Sequence, residues 1–283
     1  FYGIGKTAGA CVFFRTFEPF YSETDMSTLT FLGTGTSQGV PVISCDCYTC
    51  ASPDARDKRL RSSVLIERDG VRLLIDCGPD FRQQMLREGV RKLDGILFTH
   101  DHKDHIAGID DVRAFNYTTG KAVDIYAEKY VQESIRREFS YAFTEPKYPG
   151  VPEIDLHTID ANPFEVEGMR VVPVRGMHYR LPVLGFRLGN LCYMTDMNRI
   201  EADELKKLEG LDVLVINALR KEKHLSHFCL AEALDIIDRV KPREAWLTHV
   251  SHQMGRHAEI YTELPEGVHF AYDGLKLRIE DER

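Results

Sequence analysis

No apolar run of about 18 residues occurs in the sequence, so a membrane-spanning helix is excluded. There is no low-complexity tract, no short-period repeat and no Pro/Ser/Gly-rich linker to mark a domain boundary. Basic residues are in the minority, 36 Lys and Arg against 44 Asp and Glu, which leaves a net charge of −8. That balance argues against a surface built mainly to hold nucleic acid, although a local basic patch stays possible in principle. The seven cysteines are an odd number in 283 residues. Three of them fall within six positions, whereas a secreted disulfide scaffold is smaller and more evenly spaced. Clustered thiols in a chain of this kind point to metal binding in a reducing compartment, the cytoplasm. The 43% apolar and 28% charged fractions are those of an ordinary globular protein. The length suggests about two domains, but α/β sandwiches of roughly this size often fold as one.

The chain begins at Phe1. Thr7–Phe14 is mildly apolar but short for a signal-peptide core, and it lacks a small-residue cleavage pattern. We read residues 1–25 as an extension, a tag or upstream read-through, and residues 26–283 as one domain starting at Met26. From Leu29 onward strand and helix signals alternate. Leu29–Leu32 runs into a glycine-rich turn, Gly33–Gly39. Ser63–Glu67 and Val71–Ile75 flank Asp69-Gly70, a strong hairpin signal. Further strands are expected at Ile96–Thr99, Val123–Tyr126, Met169–Val174, Gly185–Leu188, Leu191–Thr195, Val213–Ile216, Ala245–Thr248 and Leu275–Ile279. Helices are expected at Pro79–Gly89, Lys129–Phe139, Glu201–Leu208 and Leu230–Val240. Hairpins mixed with strand–helix alternation imply an α/β protein with two helix-covered sheets.

The sharpest local signal is His100-Asp101-His102-Lys103-Asp104-His105, directly after an apolar strand. Neutral imidazoles and carboxylates are ligands suited to zinc, manganese or iron. Spacing of two in an extended turn aims His100 and His102 at one ion. A helix starting near Asp104 turns Asp104 and His105 toward a second. His178, Asp196 and His249 also stand at or just beyond the ends of apolar strands, where α/β proteins gather functional loops on one rim.

This pattern resembles the metallo-β-lactamase superfamily of binuclear metal hydrolases, from Leu29 to Ile279. The resemblance implies a four-layer αββα sandwich with the metals at one edge. It implies that His100, His102 and His178 hold one ion, and that Asp104, His105 and His249 hold the other. Asp196 would bridge the two together with a hydroxide. Two such cations make a nucleophile from water near neutral pH and offset charge on a phosphoryl or acyl oxygen. Asp104 is therefore expected among both the metal ligands and the catalytic residues.

Cys45-Asp46-Cys47-Tyr48-Thr49-Cys50 offers three thiolates for a tetrahedral zinc, and His252 is the expected fourth ligand. Cys11, Cys77, Cys192 and Cys229 are isolated and read as core residues. The Gly33–Pro41 segment, the cysteine cluster and Thr248-His249-Val250-Ser251-His252-Gln253 together resemble the phosphoribosyl cyclic phosphate phosphodiesterases of phosphonate breakdown. In that group the cysteines and the second late histidine form a structural zinc site. A related cysteine cluster occurs in the pyrroloquinoline quinone biosynthesis protein B group, which tends to have altered catalytic ligands.

Phosphodiester cleavage needs a proton donor for the departing alkoxide. His227 matches in position a histidine that acts near the scissile phosphate in the phosphodiesterase and tRNA 3′-end endonuclease groups, so it is expected as general acid or phosphate contact. A helix-capping role is its alternative. His224 is a weaker candidate for general acid or phosphate contact and reads rather as an exposed loop histidine. Arg220, Lys221 and Lys223 are candidate phosphate contacts or a solvated face. Asp76 either orients a ligand histidine or belongs to a turn with Gly78. The Gly33–Gly39 loop either cradles phosphate or forms a tight turn. His157, His257 and His269 are expected to be structural or exposed.

The expected protein is thus a phosphodiesterase of a small, possibly cyclic, phosphate ester, with two catalytic cations (Zn, Mn or Fe) and one structural Zn. A homodimer is possible. The alternatives are a tRNA 3′-end endonuclease and a non-catalytic biosynthetic relative. The first usually carries a basic, Gly/Pro-rich arm, which is not seen between His105 and His178. β-Lactam hydrolysis is disfavoured by the aspartate at 196. A glyoxalase-type thiolesterase is disfavoured because only 34 residues follow His249.

Overall fold

The computed structural model describes residues 26–280, so the segment read as an extension and Cys11 lie outside the described residues. Two sheets carry the architecture. The first is built from β1 (Met26–Gly33), β2 (Ser63–Arg68), β3 (Val71–Ile75), β4 (Gly95–Leu97), β5 (Val123–Ala127), β6 (Ile154–Thr158) and β15 (Lys276–Glu280), in the order β15-β1-β2-β3-β4-β5-β6. The second contains β8 (Met169–His178), β9 (Leu181–Leu188), β10 (Leu191–Tyr193), β11 (Arg199–Ile200), β12 (Val213–Asn217), β13 (Glu244–Thr248) and β14 (Val268–Phe270). Its order is β11-β8-β9-β10-β12-β13-β14, with β7 (Phe164–Val166) paired to β8.

Successive strand residues point to opposite faces, and here both faces are apolar. In β2, Val64 and Ile66 enter a core between the sheets, while Leu65 enters a second core under helices. In β12, Val213 and Val215 join the central core, while Leu214 and Ile216 join a third. The second core is closed by α1 (Phe81–Glu88), α3 (Arg113–Thr119) and α4 (Lys129–Glu138). The third is closed by α5 (Ala202–Leu205), α6 (Leu230–Val240) and α7 (His257–Glu263). Three cores between four layers make this an αββα sandwich, as expected. Phe186 is fully buried in the central core, where truncation to Ala costs about 3–5 kcal/mol.

The local signals explain the element ends. Asp69 (φ 50°) and Gly70 (φ 80°) both take positive φ, which a tight hairpin between β2 and β3 requires. Gly89 ends α1 in the left-handed conformation. Several boundaries shift from expectation. The strand that begins at Gly95 stops at Leu97, so Phe98 and Thr99 lead into His100 as loop. The segment 201–208 is not one helix but α5 followed by a 3-10 turn over Lys206–Leu208. β8 runs on to His178, so that residue ends the strand itself. No helix among the described residues is long and apolar enough to cross a membrane.

Candidate metal centre

The strand ends deliver the chemistry to one edge. β4 leads into His100 and His102, and α2 (Lys103–Ile106) presents Asp104 and His105. β8 ends on His178, β10 leads to Asp196, and β13 leads to His249. Asp76, Asp196 and His249 follow their strands with φ of 63°, 56° and 54°. Left-handed backbone at non-glycine residues costs about 1–3 kcal/mol each and clusters at functional sites.

Two donor groups result. His100, His102 and His178 place one ligand atom each within 4.8 Å of one another, and so do Asp104, His105, Asp196 and His249. Those are the two sets read from the sequence. Asp196 also groups with His178 and His227, so it stands between the two sets. Its Oδ2 lies 3.2 Å from His105 Nε2 and 3.1 Å from His249 Nδ1.

Asp76, left open between two roles, braces the donor histidine His105 directly and His100 through Thr99. Its Oδ2 accepts from His105 Nδ1 at 2.7 Å, and its Oδ1 accepts from the Thr99 backbone N–H at 2.9 Å. The Thr99 hydroxyl donates to the same carboxylate and lies 2.9 Å from His100 Nδ1. Both rings therefore commit Nδ1 to the protein and turn Nε2 toward the site. His178 does the same, donating from Nδ1 to the Ser226 carbonyl at 2.8 Å. His249 Nδ1 also meets Ser62 Oγ at 3.1 Å, and its Nε2 meets Thr36 Oγ1 at 3.2 Å.

The donor set fits divalent cations. Nε2 of His100 is buried without a hydrogen-bond partner, and Nε2 of His105, also buried, has only the Asp104 and Asp196 carboxylates beside it, each at 3.2 Å. A buried lone pair left bare beside carboxylates is costly unless a cation takes it. Burial pushes the pKa of His100 well below and that of His178 below the ordinary histidine value, and it takes His249 down to about 3. Burial opposes ionised Asp104 and Asp196, but neighbouring histidines outweigh it and hold both carboxyls below the usual range. Neutral imidazole and ionised carboxylate are the forms that bind metal. Burial also disfavours a charged His105, yet Asp104, Asp196 and Asp76 raise its pKa well above normal. The same negative field attracts a cation.

Gly78 lets this assembly close. A Cβ there would lie 2.0 Å from the Asp104 carbonyl oxygen. The Asp76–Gly78 turn docks directly on α2, with Cys77 N–H donating to the His105 carbonyl at 2.7 Å. Much of the Gly33–Gly39 loop's backbone is engaged within the protein, as a tight turn requires. The N–H groups of Thr34, Gly35, Thr36 and Gly39 are all spent on Asp273, Leu60, Val250 and Thr36.

The second cluster forms as expected. Sγ of Cys45, Cys47 and Cys50 lie 3.4, 3.3 and 3.4 Å from His252 Nδ1. Tetrahedral zinc with bonds of about 2.3 Å to sulfur and about 2.0 Å to nitrogen separates these atoms by about 3.5 Å, so the four residues fit that ion. The Cys50 backbone N–H donates to Cys47 Sγ and helps lower that thiol to about 6. Cys77, Cys192 and Cys229 are buried core residues.

His227 is buried at the same edge, with Nε2 at 3.0 Å from Asp196 Oδ1. It does not cap α6; Cys229 occupies that position. Two residues of the basic run are already engaged within the protein. Arg220 is spent on the Glu222 and Lys223 carbonyls and on Gln253, and Lys221 pairs with Glu263 at 2.6 Å. The Lys223 side chain is 87% exposed. His224 is the sequence reading that fails: it is half-buried against His227, with the two Nδ1 atoms 3.1 Å apart. His157 is exposed beside Asp124, His257 is buried, and His269 stacks on Trp246.

A four-layer sandwich with histidine and carboxylate donors gathered at its strand ends has the layout of a metal-binding α/β protein. The sequence matches the Beta-lactamase superfamily domain over residues 71–250. A protein of Porphyromonas gingivalis named octanoyltransferase is 44% identical over 253 residues, 88% of this chain and 51% of that protein. A ribonuclease Z of Nostoc punctiforme is 26% identical over 190 residues, 65% of this chain and 52% of that protein. The chain thus spans about half the length of these two relatives. The crystal structure of a diphosphatase from the PhnP family is 39% identical with a TM-score of 0.85, and the match covers 90% of this chain and 98% of that one. The chain belongs to the metallo-β-lactamase superfamily.

Proposed function

We propose that the chain is a binuclear phosphodiesterase of small, possibly cyclic, phosphate esters. One observation carries this reading: seven donors from separate strand ends form two sets that meet at Asp196, with buried ring nitrogens facing inward. His100, His102 and His178 would hold one cation, and Asp104, His105 and His249 the other, with Asp196 shared. Such a pair, when bound, supplies a water-derived nucleophile near neutral pH and offsets negative charge on the phosphoryl oxygens. The protein's own residues do the rest. Asp76 and Thr99 keep the His100 and His105 rings turned inward. Buried strand ends shield His100, His105, Asp196 and His249 from bulk water, while His102 stays exposed. His227, beside Asp196, is placed to give its proton to the departing oxygen. Cys45, Cys47, Cys50 and His252 would hold a structural zinc, three residues from His249 along the chain.

The diphosphatase and ribonuclease Z relatives both act on phosphate bonds by name, which supports the phosphoryl class. The name octanoyltransferase belongs to the whole Porphyromonas protein, of which the match covers 51%. The test is hydrolysis of bis(p-nitrophenyl) phosphate and a panel of small cyclic and linear diesters with added manganese or zinc, beside a tRNA precursor. Turnover of small diesters that disappears in Asp196→Ala is expected. Cleavage of the tRNA precursor alone would shift the reading to the endonuclease. Turnover of nothing by the metal-loaded protein would overturn it.

A further inference from the structure

His224 sits outside every donor group, yet it is the residue that grips the proposed proton donor. The loop carrying it is stitched from both sides. Arg220 binds the Glu222 and Lys223 carbonyls and donates to Gln253 Oε1 at 2.7 Å, on the neighbouring His249–Gln253 loop. Asn198 donates to the Leu225 carbonyl at 2.9 Å. Ser226 then works in three directions. Its carbonyl accepts from His178, its N–H donates to His224 Nδ1 at 3.3 Å, and its hydroxyl meets His227 Nδ1 at 3.1 Å.

The two Nδ1 atoms of His224 and His227 stand 3.1 Å apart. Imidazole nitrogens at that distance share one hydrogen, so this is a directional contact and not packing alone. His227 is therefore held at one edge by His224 and Ser226, while its Nε2 edge faces Asp196. Its faces are bounded by His178 (ring centroids 4.5 Å, edge-on) and His249 (5.0 Å, stacked). The ring has a single place to point. A positioning error of about 1 Å in such a group costs about 100-fold in rate.

We propose that His224 is a positioning residue, which fixes His227 for proton delivery to a poor leaving group. On this basis the brace matters most where the departing oxygen is an aliphatic alkoxide, which needs a proton to leave. A p-nitrophenolate leaves without one, so its release does not depend on the brace. The proposal rests on the phosphodiesterase reading above and deepens it.

The test compares two esters in the manganese-loaded protein. Bis(p-nitrophenyl) phosphate releases a phenolate unaided, whereas adenosine 2′,3′-cyclic phosphate releases an alkoxide. For His224→Ala, kcat on the cyclic ester falls about 10- to 100-fold, kcat on the aryl ester falls less than about threefold, and KM stays within about threefold. His224→Gln, which keeps a hydrogen-bonding group, recovers part of the loss. In a His227→Ala background the further change His224→Ala has no effect on the cyclic ester, because the residue acts through His227. Nitrogen-15 spectra of the histidines give a readout independent of turnover: the His227 ring signals shift or broaden in His224→Ala. Equal losses on both esters, additive losses in the double variant, or wild-type kinetics and spectra in His224→Ala would overturn the proposal. A wild-type protein that cleaves neither ester would instead overturn the phosphodiesterase reading, and the proposal would fall with it.

Discussion

Asp76→Asn removes one charge and one acceptor from the centre of the site, and its effect can be worked through atom by atom. The wild-type carboxylate, 0% exposed, accepts from His105 Nδ1 at 2.7 Å and from Thr99 N–H at 2.9 Å. An amide has one acceptor oxygen and one NH2. If its oxygen serves Thr99, its NH2 meets His105 Nδ1 donor to donor. Relief comes only if His105 moves its hydrogen to Nε2, which is the nitrogen facing the metal set. If the amide flips, the buried Thr99 N–H is orphaned, at about 1–3 kcal/mol. Either way a supporting contact of a ligand histidine is lost, and such losses cost about 10- to 100-fold in metal affinity. That is about 1.4–2.8 kcal/mol at 1.4 kcal/mol per tenfold. The effect falls most on the Asp104–His105–His249 set, because Thr99 still reaches His100. Competition titration with a chromophoric chelator should show one tight and one weakened catalytic site. Two catalytic sites of wild-type affinity in Asp76→Asn would refute the argument that Asp76 orients His105.

Three further outcomes follow from the geometry. Cys47→Ser should lose about one zinc per chain, lower Tm by more than about 4 °C, and weaken catalytic metal occupancy through the His249–His252 segment; unchanged melting and activity would count against that coupling. Gly78→Ala places a Cβ against the Asp104 carbonyl, so thermal melting should show about 1–3 kcal/mol of destabilisation and chelator titration a weakened Asp104–His105 set. Burial, with Arg59 and Arg56 nearby, lowers His257 from 6.5 to about 4. A lowered histidine stabilises the fold above its unfolded pKa, and that contribution fades as pH drops from 6.5 through 4. The stability gap between wild type and His257→Gln, read by urea titration, should therefore narrow across that window, by roughly 2–3 kcal/mol; a constant gap would exclude the titration.

The donor-rich edge was legible because its signal is local. Three histidines and two carboxylates in six residues leave few other readings, and each remaining donor follows an apolar strand. The Cys45–Cys50 cluster and His252 were legible for the same reason of spacing. Contacts between distant positions carried no such mark. Asp76 and His105 are 29 positions apart, and only the parallel pairing of β3 with β4 brings their turns together. His224 looked like a loop residue because no sequence signal announces that Arg220 and Asn198 fold its loop back onto His227. Short elements were missed for a different cause. β14 has three residues, too few to display a period, and β6 alternates around a half-exposed edge without a buried face.

Anomalous diffraction at the zinc edge from crystals of zinc-loaded protein tests the central claim most directly. The account predicts three peaks per chain. Two should lie about 3.5–4 Å apart, one on each side of Asp196, and the third amid Cys45, Cys47, Cys50 and His252. A single peak or none at the Asp196 edge would contradict it.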